Sequence, residues 1–281
     1  MKDTLILNAN AKINITLEVG GIREDGYHSL RSIMAPISLC DTLTLTKSDN
    51  ISCVCSRPLP TENDNIAYRA AKLFFDSTGI NGGVDIFIKK RIPVSAGMGG
   101  GSTDAAAVLR GLNEMYDGGL SEDELCQIGV KLGADVPFCI YNRPCFAEGI
   151  GEVLTPIKIY RPIPLVVTIG SEGASTKLMY QIIDSIENRE SFSHSEMLHY
   201  LAVGNIRRVA KAMRNDFELC YDENSGVAES RRLLLENGAI SAMMSGSGSS
   251  VFGIYNNIHL ARKAVENVRQ NNRFGWYCTT V

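Results

Sequence analysis

Between Pro93 and Asn113 the chain reads PVSAGMGGGSTDAAAVLRGLN, and no other stretch constrains the fold as much. Four glycines within five residues (Gly97, Gly99, Gly100, Gly101) run into Ser102-Thr103-Asp104. An alanine-rich pattern follows, with Ala105, Val108, Leu109, Leu112 and Tyr116 on one helical face. A loop must therefore feed a helix, with Ser102 or Thr103 expected as its N-cap. Glycines let successive N–H groups turn inward, and the positive end of the helix lies just beyond them. That pairing suits a polyanion such as a nucleotide phosphate. A flexible loop before an ordinary capped helix fits the same letters, and the GxxxxGK[ST] pattern is absent, so specificity has to come from elsewhere.

Composition narrows the class. A chain of 281 residues that is 44% hydrophobic and 21% charged is globular and long enough for one large domain or two moderate ones, of which two is the better reading. A formal net charge of −3 supplies no field for nucleic acid or an anionic membrane, so any phosphate has to be held by local geometry. The eight cysteines include one CxC and no CxxC, which indicates neither a zinc site nor a disulfide framework and fits reduced thiols of a cytoplasmic protein. The start, MKDTLILNANAK, lacks the apolar core of a signal peptide, and no run of about 18 apolar residues occurs, so a soluble protein is expected.

Thr4 to Leu7 is a short apolar run. After it Ala11, Ile13, Ile15, Leu17 and Val19 alternate with Lys12, Asn14, Thr16 and Glu18, the period of a strand. Lys12 and Asn14 then project from one face about 7 Å apart, a face that an arbitrary strand would turn to solvent. Asp25-Gly26 marks a turn that presents Tyr27 and His28, a pair able to stack on a planar base or simply to pack. Ile33 to Thr46 reads as strand, loop, strand. Asn63-Asp64-Asn65 opens a helix that ends before Gly79, and Val84 to Ile92 is a strand stopped by Pro93. Ser121 to Glu124 has the form of a capping box for a helix running to Gly133. In ADVPF, Pro137 is expected to hold Asp135 at a bend before a strand Phe138 to Tyr141, where the carboxylate either serves chemistry or satisfies the turn.

Arg161-Pro162-Ile163-Pro164 marks a domain boundary before the strand Leu165 to Ile169. Helices are expected over 175–186, 195–202, 206–213, 227–236 and 259–268, with a last strand near Tyr277 and a polar linker before the second helix of this set. Between two apolar strands lies SGSGSS, residues 245–250. This second small-residue loop either closes over phosphates or is a wide hairpin.

AKINITLEV, REDGYHSL, PVSAGMGGGSTDAAAVLRGLN, GADVPF and MMSGSGSSVFGIY, in this order and at these separations, resemble the GHMP small-molecule kinases over nearly the whole chain, Ala11 to Tyr255. The resemblance implies a mixed α/β fold of two domains: an N-terminal ATP-binding domain, 1–160, and a C-terminal ferredoxin-like domain, 161–281, with the active site in the cleft between them. It implies ATP and Mg²⁺. In the branch marked by the AKIN strand, the DGYH turn and GADVPF, it implies phosphorylation of the erythritol 2-hydroxyl of a cytidine diphosphate sugar alcohol, in the non-mevalonate route to isoprenoid precursors, by a monomer or homodimer.

By the same resemblance, Asp135 is the catalytic base and Lys12 its partner. The nucleotide falls to Pro93, Ala96, Gly97, Met98, Gly99, Gly100, Gly101, Ser102 and Thr103, with Ser102 or else Thr103 as the hydroxyl for the metal; apart from the resemblance, Asn65 and Ile66 are the candidates toward adenine. Asn14, Tyr27, His28, Tyr180 and the loop residues Ser245, Gly246 and Ser247 fall to the acceptor substrate. Met98 stands where the family has leucine, and Thr103 and Ser250 each exchange one hydroxyl residue for another. Phosphoryl transfer needs alignment and charge stabilisation above all. Three other readings compete: a kinase of the same family acting on homoserine, mevalonate or a sugar; a nucleotide-binding regulator without activity; and a Rossmann oxidoreductase. The Tyr27-His28 pair disfavours the first and Lys12 with Asp135 the second. The third lacks an acidic residue about 20 positions beyond the loop.

Overall fold

Period-two alternation draws the first fifty residues into two long strands, β1 (Thr4–Ile22) and β2 (His28–Ser48), in a computed structural model that describes residues 3–59, 64–171, 175–186, 189, 192–271 and 273–281. Both exceed their predicted lengths. The expected break within Ile33–Thr46 is absent, because Ile33, Met34, Ala35 and Ile37 are all buried. A strand covered on both faces shows no alternation to read. Contacts divide the chain into two compact units that interleave in sequence, Met1–Lys12 with Cys40–Val94 and Gly99–Arg143, and Ile13–Leu39 with Ser95–Met98 and Pro144–Val281.

In the first unit the strand order is β3 (Ile51–Cys55), β4 (Gly83–Lys89), β2, β1, with β3 parallel to β4 and β4 antiparallel to β2. Leu43, Leu45, Ile86 and Ile88 form the inward side. They share the core with Ala70, Ala71 and Phe74 of α1 (Ile66–Thr78) and with Ala105 to Leu109 of α2 (Gly100–Met115). Each buried leucine, isoleucine or phenylalanine contributes roughly 1.5–3 kcal/mol, so this apolar layer outweighs any single cap. Asn65 caps α1 by accepting from the Ala67 N–H at 2.9 Å. Asn63, read as part of that start, lies outside the described residues.

Three helices differ from expectation at their ends or in their existence. The N-cap of α2 is Gly99, not Ser102 or Thr103, so the helix begins inside the glycine run. Val136–Tyr141 is a helix, α4, rather than a bend before a strand. Pro137 sits in its first turn, where a missing N–H costs nothing, and a short apolar run is compatible with either structure. Between these two helices, α3 (Glu122–Gly129) carries the expected capping box of Ser121 and Glu124 but stops at Gly129 rather than Gly133.

The second unit holds the remainder of β1 and β2, against which β5 (Cys145–Glu148) and β8 (Arg214–Asn215) pair, with β6 (Val153–Pro156) beyond β5. These short strands, like β3, carry too few residues for a period to register. The unit's other sheet has β7 (Pro164–Ile169), β9 (Ser241–Met244), β10 (Ser250–Ile254) and β11 (Gly275–Thr279) in the antiparallel order β11-β7-β10-β9. Its helices are α5 (Thr176–Asp184), α6 (His194–Val203), α7 (Ile206–Ala212), α8 (Gly226–Glu236) and α9 (Ile258–Gln270). That succession of strands and helices, in that order across the sheet, is the ferredoxin-like arrangement expected for this half. Its core runs through Val166, Met244, Val251, Leu234, Ala264 and Val268.

All eight cysteines are free thiols, as the absence of paired motifs implied. Among the described residues no helix is long and apolar enough to cross a membrane. Asn65→Ala should lower stability by about 1 kcal/mol through loss of the α1 cap, with Asn65→Asp recovering most of it. Urea unfolding midpoints check this, and an unchanged midpoint in the alanine variant would contradict the capping role.

Candidate active site

The outward face of β1 is not solvated. Lys12, Asn14 and Thr16 are all buried, so the ammonium of Lys12 is held in a fixed place inside the first unit. Its Nζ lies 3.6 Å from Asp135 Oδ2, with the lysine side chain 6% and the aspartate side chain 39% exposed. Asp135 occupies the N-cap position of α4 yet makes no side-chain cap hydrogen bond, so its carboxylate is not consumed by the turn. Arg110 of α2 anchors the other end of α4, donating from Nη1 to the carbonyls of Cys139 (2.7 Å) and Ile140 (3.0 Å).

Gly99 places the start of α2 against Lys12. Its φ of +67° is one that side chains resist, and a methyl group there would lie 3.1 Å from Lys12 Cγ. The first intrahelical bond runs from the Thr103 N–H to the Gly99 carbonyl at 2.8 Å. The N–H groups of Gly100, Gly101 and Ser102 therefore precede the helical ladder, at the positive end of a 16-residue helix. Among the loop's other candidates, Pro93, Ala96, Met98 and Thr103 are buried and shape the backbone, whereas Ser102 is partly exposed. Ser102 is thus the hydroxyl open to a ligand. Ile66 Cγ2 lies 3.2 Å from where a Gly101 side chain would begin.

The loop's earlier half belongs to the second unit, where it is clamped by the turn between β9 and β10. Ser245 Oγ donates to the Gly97 carbonyl at 3.2 Å, and the Ser250 N–H donates to the Ala96 carbonyl at 3.2 Å. A methyl group on Gly97 would lie 2.1 Å from the Ser245 carbonyl oxygen, so this contact also requires glycine. Ser245 additionally accepts from the Asn14 N–H at 3.3 Å, and Gly246 accepts from Asn215 Nδ2 at 2.8 Å. Ser247 Oγ meets Thr176 Oγ1 at 2.9 Å. The SGSGSS loop is therefore a backbone support for the glycine loop, and the Asn14 amide donates to Ser32 Oγ at 2.8 Å.

Elsewhere in the second unit, Tyr27 is 62% exposed and stands on a turn in which the Tyr27 N–H donates to Asp25 Oδ1 at 3.1 Å. His28 stacks on Tyr180, with ring centroids 4.5 Å apart and planes 16° apart, and Tyr180 meets Phe217 edge-on. His28 Nε2 is 2.7 Å from Asp184 Oδ1. The chain thus brings the expected His28 and Tyr180 together, although they stack on each other.

Comparison with known proteins decides the family. The family model for the GHMP kinases N terminal domain matches residues 65–143, and that for GHMP kinases C terminal matches residues 197–273. A 4-diphosphocytidyl-2-C-methyl-D-erythritol kinase of Alkaliphilus metalliredigens (strain QYMF) is 44% identical over 267 residues, covering 93% of this chain and 91% of the relative. The chain belongs to the GHMP kinases. A crystal structure of 4-(cytidine 5'-diphospho)-2C-methyl-D-erythritol kinase superposes with a TM-score of 0.84 at 34% identity, covering 98% of each chain. A homoserine kinase from Cytophaga hutchinsonii reaches a TM-score of 0.75 at 15% identity, covering 100% of this chain and 95% of its own, a likeness of fold alone.

Magnesium can be tested against the donors this GHMP kinase offers. Among the described residues no group of three or more His, Cys, Asp or Glu gathers to form a cage. One partly exposed hydroxyl, Ser102, fits a cation that arrives on nucleotide phosphates, since Mg²⁺ keeps several waters and takes few protein ligands.

Sequence reasoning missed a buried cluster under the cradle. Lys90 Nζ lies 2.5 Å from Asp41 Oδ2 and 2.6 Å from Asp104 Oδ2, and all three residues are buried. Asp41 Oδ1 also accepts from the Arg91 and Ile92 N–H groups, fixing the chain just before Pro93. The Asp104 carboxyl is pushed up to about 7, chiefly by burial, with Lys90 opposing the rise and Asp41 adding to it. Burial by itself would lower Lys90, but its two carboxylates raise it. The signal was available: Asp41 interrupts the inward series Leu39, Leu43, Leu45, and Lys90 extends Ile86, Ile88 toward Ile92. Lys90→Met should destabilise the fold by roughly 3–5 kcal/mol, because two carboxylates lose their shared cation. Thermal and urea unfolding check it, and a loss below about 1 kcal/mol would show that the cluster is not held as described.

Proposed function

We propose that this GHMP kinase transfers the γ-phosphoryl group of ATP to the 2-hydroxyl of 4-diphosphocytidyl-2-C-methyl-D-erythritol, in isoprenoid precursor synthesis. The observation that carries the proposal is the pairing of Lys12 with Asp135, at 3.6 Å, with the lysine stem against Gly99. In the reaction the acceptor oxygen forms a bond to the γ-phosphorus, the bond to the bridging oxygen of ADP breaks, and the hydroxyl proton passes to an Asp135 oxygen. Lys12 offsets negative charge on the moving group. The N–H groups of Gly100 to Ser102 hold phosphate oxygens already in place when charge develops. Ser102 would hold part of a Mg²⁺ ion, which when bound would supply charge neutralisation to the phosphates. Tyr27 offers a ring face to cytosine, beside His28. Free cysteines throughout support a reducing compartment, the cytoplasm.

The runner-up is a kinase of the same family acting on homoserine, mevalonate or a sugar. Aromatic residues at Tyr27, His28 and Tyr180 favour an acceptor with a base over these. ATP consumption measured with the cytidine diphosphate substrate, mevalonate and homoserine distinguishes them, and turnover confined to one of the latter would reject the proposal.

Asp135→Asn keeps size and removes basicity, so kcat should fall by at least about 100-fold, with Lys12→Ala comparably damaged. Wild-type turnover in Asp135→Asn would remove that residue from proton transfer. Tyr27→Ala should raise the KM for the cytidine substrate by about tenfold or more, while Tyr27→Phe, which keeps the ring, stays within about threefold. Steady-state kinetics in both substrates read the difference.

A further inference from the structure

The imidazole of His28 is held on two sides in the second unit. One face stacks on Tyr180, which is itself braced by Phe217, and Nε2 meets Asp184 Oδ1 at 2.7 Å. A carboxylate can only accept, so Nε2 must be the nitrogen that carries hydrogen. In the neutral ring the proton is then used up, and Nδ1 is left as an acceptor. Among the described residues Nδ1 has no hydrogen-bond partner, and it is not sealed in the core.

Asp184 is also poorly placed for the helix that carries it. It is the last residue of α5, where the carbonyl end of the helix favours a cation, and α5 has no basic residue in that turn. The helix is anchored by Met179 and Ile183, not by Asp184, whose side chain is 41% exposed. An acid at the unfavourable end of a helix, spent on one ring nitrogen, has a task outside the helix.

We infer that Asp184 is a specificity-determining residue: by fixing His28 in the Nε2–H tautomer it presents Nδ1 as an acceptor for the exocyclic amine of cytosine, and so rejects uracil, which carries a carbonyl there. The inference rests on the reading of His28 as the residue that faces the base. A site built to accept from an amine leaves its own lone pair facing a carbonyl oxygen when uracil enters, and such mismatches discriminate strongly. Asp184 touches no reacting atom in this scheme; it acts through His28.

The test compares the cytidine diphosphate substrate with its uridine counterpart at about pH 8, above the ordinary imidazole range. The wild type should prefer cytidine by at least about tenfold in kcat/KM, and Asp184→Ala should cut that preference at least about fivefold by raising the cytidine KM, with the KM for ATP unchanged. Asp184→Asn, whose amide oxygen still accepts, should fall between the two. Nitrogen-15 NMR of the His28 ring should show one tautomer, Nε2–H, in the wild type and a mixture in Asp184→Ala, which a purely structural role would not produce. An unaltered preference in Asp184→Ala, or an Nδ1–H ring in the wild type, overturns the inference and leaves the proposed function standing. Wild-type failure to turn over either pyrimidine substrate overturns both.

Discussion

The candidate site depends on how closely the first turn of α2 can approach the side chain of Lys12. Gly99 sets that distance twice over, by a backbone angle of +67° and by leaving no atom where a methyl group would meet Lys12 Cγ at 3.1 Å. A side chain there would be strained by that angle and would press on the lysine stem. With glycine in place, the unladdered N–H groups of Gly100 to Ser102 lie on the chain directly after the residue that packs on the lysine stem, and the ammonium faces Asp135. Charge stabilisation falls off with distance and is screened by water, so a buried lysine at a fixed place does more than a mobile one on the surface.

Each unit holds its own part of the glycine loop by a different means. In the first, the buried ammonium of Lys90 joins Asp41 on β2 to Asp104 on α2, and Asp41 also takes the Ile92 N–H, tying the strand end to the helix start. Breaking one partner of such a cluster costs several kcal/mol, more than the whole capping contribution of a helix. In the second, the β9–β10 turn grips the backbone at Ala96 and Gly97 through hydrogen bonds and a contact too close for any side chain. A support of this kind suits a transfer reaction in which alignment is most of the catalysis.

Much of this was legible in the sequence where a physical signal is local. Alternation located β1, apolar runs located β4, β7 and β10, an asparagine-rich start and a capping box located α1 and α3, helical periodicity located α5 and α8, and glycine density located the loop that feeds α2. Signals failed where burial was two-sided, as in β2, and where a short apolar run fits two structures, as in α4. The cap of α2 was misassigned because Gly99 leaves no side-chain signal, whereas Ser102 and Thr103 imitate one. Lys12 on β1 looked like an outward residue, and only its closeness to Asp135, 123 positions on in the chain, distinguishes it from a solvated lysine. Asp184 lay beyond reach altogether, since its partner His28 is separated by 156 residues and no local pattern links an acid on a helix to a turn so distant.

The central claim is that a phosphate is held by the first-turn N–H groups beside Lys12. A crystal structure with the non-hydrolysable analogue β,γ-imido-ATP and magnesium tests it most directly. The β- and γ-phosphate oxygens are expected within hydrogen-bond distance of the N–H groups of Gly100 to Ser102, with the γ-phosphate in contact with Lys12 Nζ. Phosphates bound elsewhere, with that turn and Lys12 untouched, would contradict it.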